Sequence, residues 1–153
     1  MADHAIVVMV TPTGSTPPFI FTYSDNGGTP STNGTVTVPA ATSKTFLVSI
    51  MADGQPGDTC VFPAAPLLFT DRQGNELPDP EWFQDFDPID SSTISFTDNN
   101  TNLDTRDYIV FIKAIYNGTP ITSPDPTIVN DGIDHSSVEM PSQDRPKPLV
   151  SVV

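Results

Sequence analysis

Cysteine and long apolar runs are both scarce in this sequence. Cys60 is the single cysteine among 153 residues, so no disulfide can form within the chain. No apolar stretch approaches the roughly 20 residues that a membrane-spanning helix needs. The first apolar run covers residues 5–10, which is shorter than the core of a secretory signal, and no lysine or arginine precedes it. These absences predict a cytoplasmic protein without membrane spans.

Positive charge is scarce too. Six Lys and Arg stand against 19 Asp and Glu, and the formal net charge is −13. Nucleic-acid binding needs clustered cations that displace counterions from phosphate, and anionic membranes attract basic segments. The composition therefore excludes both as predicted partners. Basic partners, divalent cations, and small-molecule or glycan ligands stay open.

Histidine is limited to two residues, His4 and His135, both near the ends of the chain. No G-x-S-x-G motif is present, so neither a Ser nor a Cys triad is predicted. With Cys60 and Met140 the histidines would complete a blue-copper ligand set, but that site needs its ligands bunched on one loop. We therefore predict no catalytic residue and no cofactor, and we interpret Cys60 as a small core residue.

Segments suited to α-helices are missing. The chain has 17 prolines, and no helix-length window without Pro or Gly shows helical spacing of apolar residues. Short runs alternate between apolar and polar residues instead, which predicts strands. The predicted strands cover residues 4–10, 18–24, 34–39, 44–51, 59–62, 66–70, 92–97, 107–116 and 127–129. This spacing predicts an all-β fold, a two-sheet antiparallel β-sandwich that is immunoglobulin-like or jelly-roll-like.

The predicted domain organisation is simple. A single β-sandwich domain covers residues 1–132, and a polar tail follows over residues 133–153. The tail closes with PLVSVV, which we interpret as a terminal edge strand. Apolar strands near both termini predict a homo-oligomer that forms through edge strands.

The acids crowd into one segment. Residues 71–90 hold seven of the 19 acids beside Trp82, the only tryptophan. Sugar sites combine carboxylates with aromatic platforms, so Trp82, Glu81, Asp85 and Asp87 are the candidate ligand-binding residues. The structural interpretation is one long, solvated connection.

A second candidate site begins at Asp98. Asp98, Asn100 and Asn102 place oxygen ligands at alternate positions, as at the start of a calcium loop. The Gly and Glu that complete an EF-hand loop are replaced by Leu103 and Ile109. The segment therefore predicts a hairpin turn, with a weak Ca²⁺ site as the alternative.

Lys113 interrupts the longest apolar run. Ile109, Phe111 and Ile115 share a strand face with it. A charge there must reach the edge of the face or meet an acid. We interpret Lys113 as a structural residue rather than a functional one.

The run is followed by SPDPTIVN at residues 123–130. Its D-P-x-I-x-N pattern resembles the small, uncharacterised proteobacterial proteins of the DP-EP family, and the length and β character agree. Asp131-Gly132 stands where that family has an acidic residue and proline. The resemblance implies a β-sandwich and assigns no activity or site residues.

These observations predict a non-catalytic, acidic β-sandwich that acts as a binding or self-assembly module. The alternative is a carbohydrate- or calcium-binding module that uses the acidic, aromatic segment 71–90.

Overall fold

The computed structural model describes residues 2–14, 18–32, 34–102 and 106–132. Within these residues, eleven strands form two sheets that pack together, and the helical structure is one 3-10 turn, Asn100–Asn102. No helix among them has the length and hydropathy of a membrane span. The strands are β1 His4–Pro12, β2 Phe19–Asp25, β3 Val36–Val38, β4 Ser43–Ala52, β5 Cys60–Val61, β6 Leu67–Thr70, β7 Phe83–Asp90, β8 Thr93–Asn99, β9 Tyr108–Tyr116, β10 Thr119–Thr122 and β11 Ile128–Asn130.

The first sheet has five strands in the order β2-β1-β4-β8-β7. Alternation fixes the two faces of β1, because Ile6, Val8 and Val10 are buried while Val7 and Met9 lie on the outer face. β1 pairs antiparallel with β2 and parallel with β4. The N-terminal strand therefore lies inside the sheet, and the prediction that it offers a free edge is wrong.

The second sheet is built around β9. One side of β9 pairs with β6 and β5, and the other side pairs with β11 and β10. Both pairs of short strands are interrupted by proline-containing segments, residues 62–66 and 123–127. Proline lacks the N–H that a ladder needs, so regular pairing lapses there. Pro66, Ser123 and Thr127 still keep single backbone hydrogen bonds to β9. β3 adds to β11 in parallel at the edge.

Aromatic rings fill the space between the sheets. Phe46 and Phe96 stack with their ring centroids 5.1 Å apart. Trp82, 1% exposed, meets Phe69 and Tyr108 edge to face at 5.6 Å each. Such rings bury large apolar areas, which is the dominant favourable term in folding.

The predicted all-β sandwich is confirmed. The sheets are mixed rather than antiparallel throughout, because β1–β4 and β3–β11 are parallel pairs. The choice between immunoglobulin-like and jelly-roll-like topology stays a prediction.

Two strands were not predicted, β7 and β10. β7 carries three acids and Pro88 on an exposed edge, so its residues do not alternate as those of a half-buried strand do. The hairpin turn before β10 matches its sequence signal, because Asn117 and Gly118 both adopt positive φ, 47° and 84°. The predicted tail over residues 133–153 lies outside the described residues, as does its terminal strand.

Candidate functional site

The outer edge of β2 is open at Phe19 and Phe21. Tyr23 exchanges two backbone hydrogen bonds with Ser31, of 2.8 and 2.9 Å, on the side away from β1. Alternate residues of a strand direct their N–H and C=O groups to the same side, so those of Phe19 and Phe21 also point away from β1. Within the described residues, no backbone group pairs with them there. This edge can accept an added strand.

An apolar groove lies beside the open edge. We call it the β2–β10 groove, and its volume is about 240 Å³. Its lining residues come from the edges of both sheets: Pro18, Phe19, Phe21, Ile121, Thr122 and Pro124. Pro120 removes an N–H from the outer edge of β10, which helps to keep the two edges from closing on each other. The result is an apolar recess next to unpaired backbone groups.

Negative charge stands behind the aromatic wall of the groove. Phe19 contacts the ring of Tyr116, with centroids 5.1 Å apart, and the Tyr116 hydroxyl donates to Asp58 Oδ2 at 2.7 Å. Hydrogen bonds from the Asn117 amide and from Tyr116 lower the pKa of Asp58. Asp58 is therefore ionised at neutral pH, and a ligand with a cation near its apolar residues suits this end of the groove.

Trp82 does not serve the predicted sugar site. It is 1% exposed between Phe69 and Tyr108, so neither face of its indole ring can stack on a sugar. The ring completes the core beside the start of β7, and the assignment of Trp82 to a ligand site stays a prediction that this placement does not favour.

The three acids predicted with Trp82 do not converge on one site. Glu81, Asp85 and Asp87 are all exposed along the connection and the bulged edge strand β7. Asp85 borders a shallow depression of about 380 Å³ on the first sheet, which neither Glu81 nor Asp87 lines. This arrangement fits the solvated interpretation of the segment.

Asp98 and Asn100 are likewise turned inward. Asp98 is fully buried at the end of β8, and both of its carboxylate oxygens lie 2.6 Å from Asn130 Nδ2 on the facing sheet. Burial raises the pKa of Asp98 to about 7, against the opposing effect of the Asn130 hydrogen bond.

Asn100 joins the same end of the sandwich. Its Nδ2 group donates to the backbone oxygens of Val38, Pro39 and Asp131, at 2.9 to 3.2 Å. These contacts hold the 3-10 turn against the second sheet. The side chain of Asn102 lies outside what the structure describes.

The calcium prediction therefore does not fit Asp98 and Asn100, whose side chains serve as links between sheets. Across the described ranges, no group of three or more His, Cys, Asp or Glu is placed to hold a metal. Cys60 is 5% exposed, as expected of a core residue, and burial raises the pKa of its thiol to about 11.

The β2–β10 groove was not predicted from the sequence. The alternation of Phe19, Phe21 and Tyr23 correctly indicated one shared face of a strand, but nothing in the sequence indicated that β2 is an edge strand. No protein-family model matches the chain, and no curated protein matches it at a significant level.

Proposed function

We propose that the protein is a binding module that takes up an extended, apolar polypeptide segment along the free edge of β2. The observation that carries the proposal is the open backbone of Phe19 and Phe21 beside the β2–β10 groove. In strand addition, main-chain hydrogen bonds provide affinity and pockets for alternate side chains provide specificity. Both parts are present at this edge.

The size of the groove favours a peptide over a compact small molecule. Its volume of about 240 Å³ falls below the roughly 300–1,000 Å³ of most small-molecule pockets. It suits one or two apolar side chains, while the rest of the ligand would run along the edge of the sheet.

The charge of the protein favours a segment with basic residues beside the apolar ones. The net charge of −13 draws cations toward the surface, and Asp58 lies behind Tyr116 at one wall of the groove. The segment can belong to a second copy, which would make a homo-oligomer through edge strands, or to another protein. Both sources share the same chemistry.

The test uses a synthetic peptide, RPKPLVSVV, which repeats residues 145–153 of the chain and combines two cations with alternating apolar residues. Titrated into isotope-labelled protein, it should shift the amide resonances of Phe19 and Phe21 more than those of β8. A version N-methylated at alternate residues keeps the side chains but lacks half of the donors, and it should bind at least about tenfold more weakly. Equal binding of the two peptides, or no shifts on β2, contradicts the proposal.

A pair of variants on β10 locates the site. Ile121→Glu places a charge in the groove and should abolish peptide binding, whereas Thr119→Glu on the same strand does not line the groove and should preserve it. Sedimentation of the protein without peptide shows whether the bound segment comes from a second copy or from another protein. Association that Pro124→Glu removes indicates a second copy, because Pro124 lines the groove and not the recess beside Lys113. A monomer that still binds peptide indicates another protein.

A further inference from the structure

The outer face of the second sheet is largely apolar around β9, with Thr122 opposite Lys113 and Thr37 on the edge strand β3. Alternation turns one set of β9 side chains outward, and those of β5 and β6 continue the surface. We call this set the β9 face, and its members are Val61, Leu68, Ile109, Phe111, Lys113 and Ile115. All six are half-buried. A contiguous apolar surface of this kind marks an interaction site more often than scattered exposed residues do.

Lys113 is the only charge on the β9 face. Among the described residues, no carboxylate lies within ion-pair distance of its ammonium group. The lysine stem lies along apolar side chains, which leaves its ammonium group available to an acidic partner. A partner surface that combines apolar residues with carboxylates would satisfy both features of the face.

The bulged edge strand β7 has that composition. Phe86 and Ile89 are 37% and 53% exposed, and Asp85, Asp87 and Asp90 are exposed on the same strand. We call these five residues the β7 patch. Two register shifts break the pairing of β7 with β8, and Asp85 adopts a φ of 56°, which non-glycine residues rarely do. The irregular backbone blunts this edge against strand addition, so contact must be made through its side chains.

We infer that the β7 patch of one copy docks on the β9 face of a second copy. Phe86 and Ile89 would cover Phe111 and Ile115, while the exposed acids of the same edge strand face Lys113. Charge complementarity argues against the symmetric alternative, because two β9 faces packed together would bring two lysines onto one apolar surface.

The contact joins two different surfaces, so it is heterologous. In a dimer, one copy would keep its β9 face free and the other its β7 patch, so growth need not stop at a dimer. The β9 face adjoins the β2–β10 groove, because Ile121 and Thr122 line both the groove and a recess of about 200 Å³ beside Lys113 and Ile115. The inference nevertheless does not depend on the proposed peptide binding.

Sedimentation velocity from low micromolar to near-millimolar protein tests the inference. The weight-average mass should rise with concentration past the dimer. Lys113→Glu, or Asp85→Lys combined with Asp87→Lys, should each weaken association at least about tenfold. All three substitutions together exchange the charges and should restore it. Ile89→Ser should weaken association as well, and its largely exposed side chain makes it a safer variant than Phe86, which packs on Phe83 at 5.6 Å.

Met51→Ser is the matched control. Met51 is 45% exposed, between the values for Phe86 and Ile89, but it lies on the first sheet. It should leave association unchanged. A wild-type protein that stays monomeric, variants without effect, or a charge exchange that fails to restore association would each overturn the inference. Pro124→Glu should leave this association intact, because Pro124 lines the β2–β10 groove and not the recess beside Lys113 and Ile115. A failure of the proposed peptide binding can therefore be told apart from a failure of this association.

Discussion

Asp98 lies where its charge is least favourable. Its carboxyl group is fully buried, and its hydrogen-bond partner is the Asn130 amide, which is neutral. Desolvation therefore dominates and raises the pKa to about 7. Residue type alone predicted an exposed turn, because Asp is seldom fully buried. Asp98 is buried instead because alternate side chains of β8 point into the core, and because Asn130 on the facing sheet contacts it.

A raised pKa in the folded protein makes stability depend on pH. The folded state holds the Asp98 proton that the unfolded state releases near its ordinary pKa of 3.8. This contribution is fully present below that pH and is lost as the pH rises through about 7. Asp98→Asn keeps the shape but cannot ionise. It should be more stable than wild type at pH 8, by on the order of 2–4 kcal/mol, and nearly equal at pH 4. Urea unfolding at both pH values measures this difference, and a gap that does not change with pH contradicts it.

Trp82 should act through stability rather than through binding. Trp82→Ala removes a ring packed against Phe69 and Tyr108, so it should lower the free energy of unfolding by about 3–5 kcal/mol. Phe86→Ala, which trims a more exposed ring, should cost much less. Urea titrations followed by circular dichroism compare the two variants. A small loss for Trp82→Ala would mean that the ring is not part of the core.

At the scale of the element, a side-chain hydroxyl replaces a backbone hydrogen-bond acceptor of β9 where the strand pairing is interrupted. Opposite the break at residues 123–127, the Ile112 N–H donates to Ser123 Oγ at 3.0 Å instead of to a backbone carbonyl. Ser123 N in turn donates to the Ile112 carbonyl at 2.8 Å. Ser123 is 3% exposed, so water cannot readily replace its hydroxyl.

Ser123→Ala should leave the Ile112 N–H without an acceptor. The expected loss is about 1–3 kcal/mol, the penalty of a buried unsatisfied donor. The Ile112 amide should also exchange its hydrogen faster. Ser123→Thr keeps the hydroxyl and serves as the control. Equal stability of the alanine variant and wild type would show that another group takes over the bond.

Individual strands were predictable where one face is buried. β9 was predicted over residues 107–116 and is observed at Tyr108–Tyr116, because alternation in a central strand is unbroken. β7 escaped detection because its pattern is that of a solvated edge. The parallel pairing of β1 with β4 could not be predicted either, since alternation specifies faces and not neighbours.

At the scale of the whole molecule, charge is poorly compensated. Among the described residues, ion pairs join His4 to Asp25 and Arg72 to Asp107 and Asp131, and the whole sequence has only six Lys and Arg against 19 acids. Little favourable pairing is therefore lost when salt is added, while repulsion among the acids is screened.

Moderate salt should therefore stabilise the protein. Raising sodium chloride from about 0.01 M to about 0.15 M shortens the Debye length from roughly 30 Å to about 8 Å. The melting temperature should rise by a few degrees, as measured by calorimetry at pH 7. A decrease would indicate that attractive pairs outweigh the repulsion.

The candidate site belongs to the whole molecule rather than to any segment. Phe19 and Phe21 lie far from Ile121 and Pro124 in sequence, and the groove exists because two edge strands from different sheets meet there. Composition could predict an acidic surface and an apolar core. It could not predict which strands would remain at the edges, because that depends on pairing between distant residues.

The parallel pair of β3 and β11 can form only late in biosynthesis, after residue 130 has been made. Val36 lies in register with Ile128, so β3 must wait for almost all of the described chain before its partner exists. β1 and β4, which also pair in parallel, are both complete by residue 52. Nascent chains on the ribosome would thus be able to join β2, β1 and β4 early, while β3 stays unpaired until β11 emerges. Such late, long-range closure is slow and leaves apolar strands exposed in the meantime.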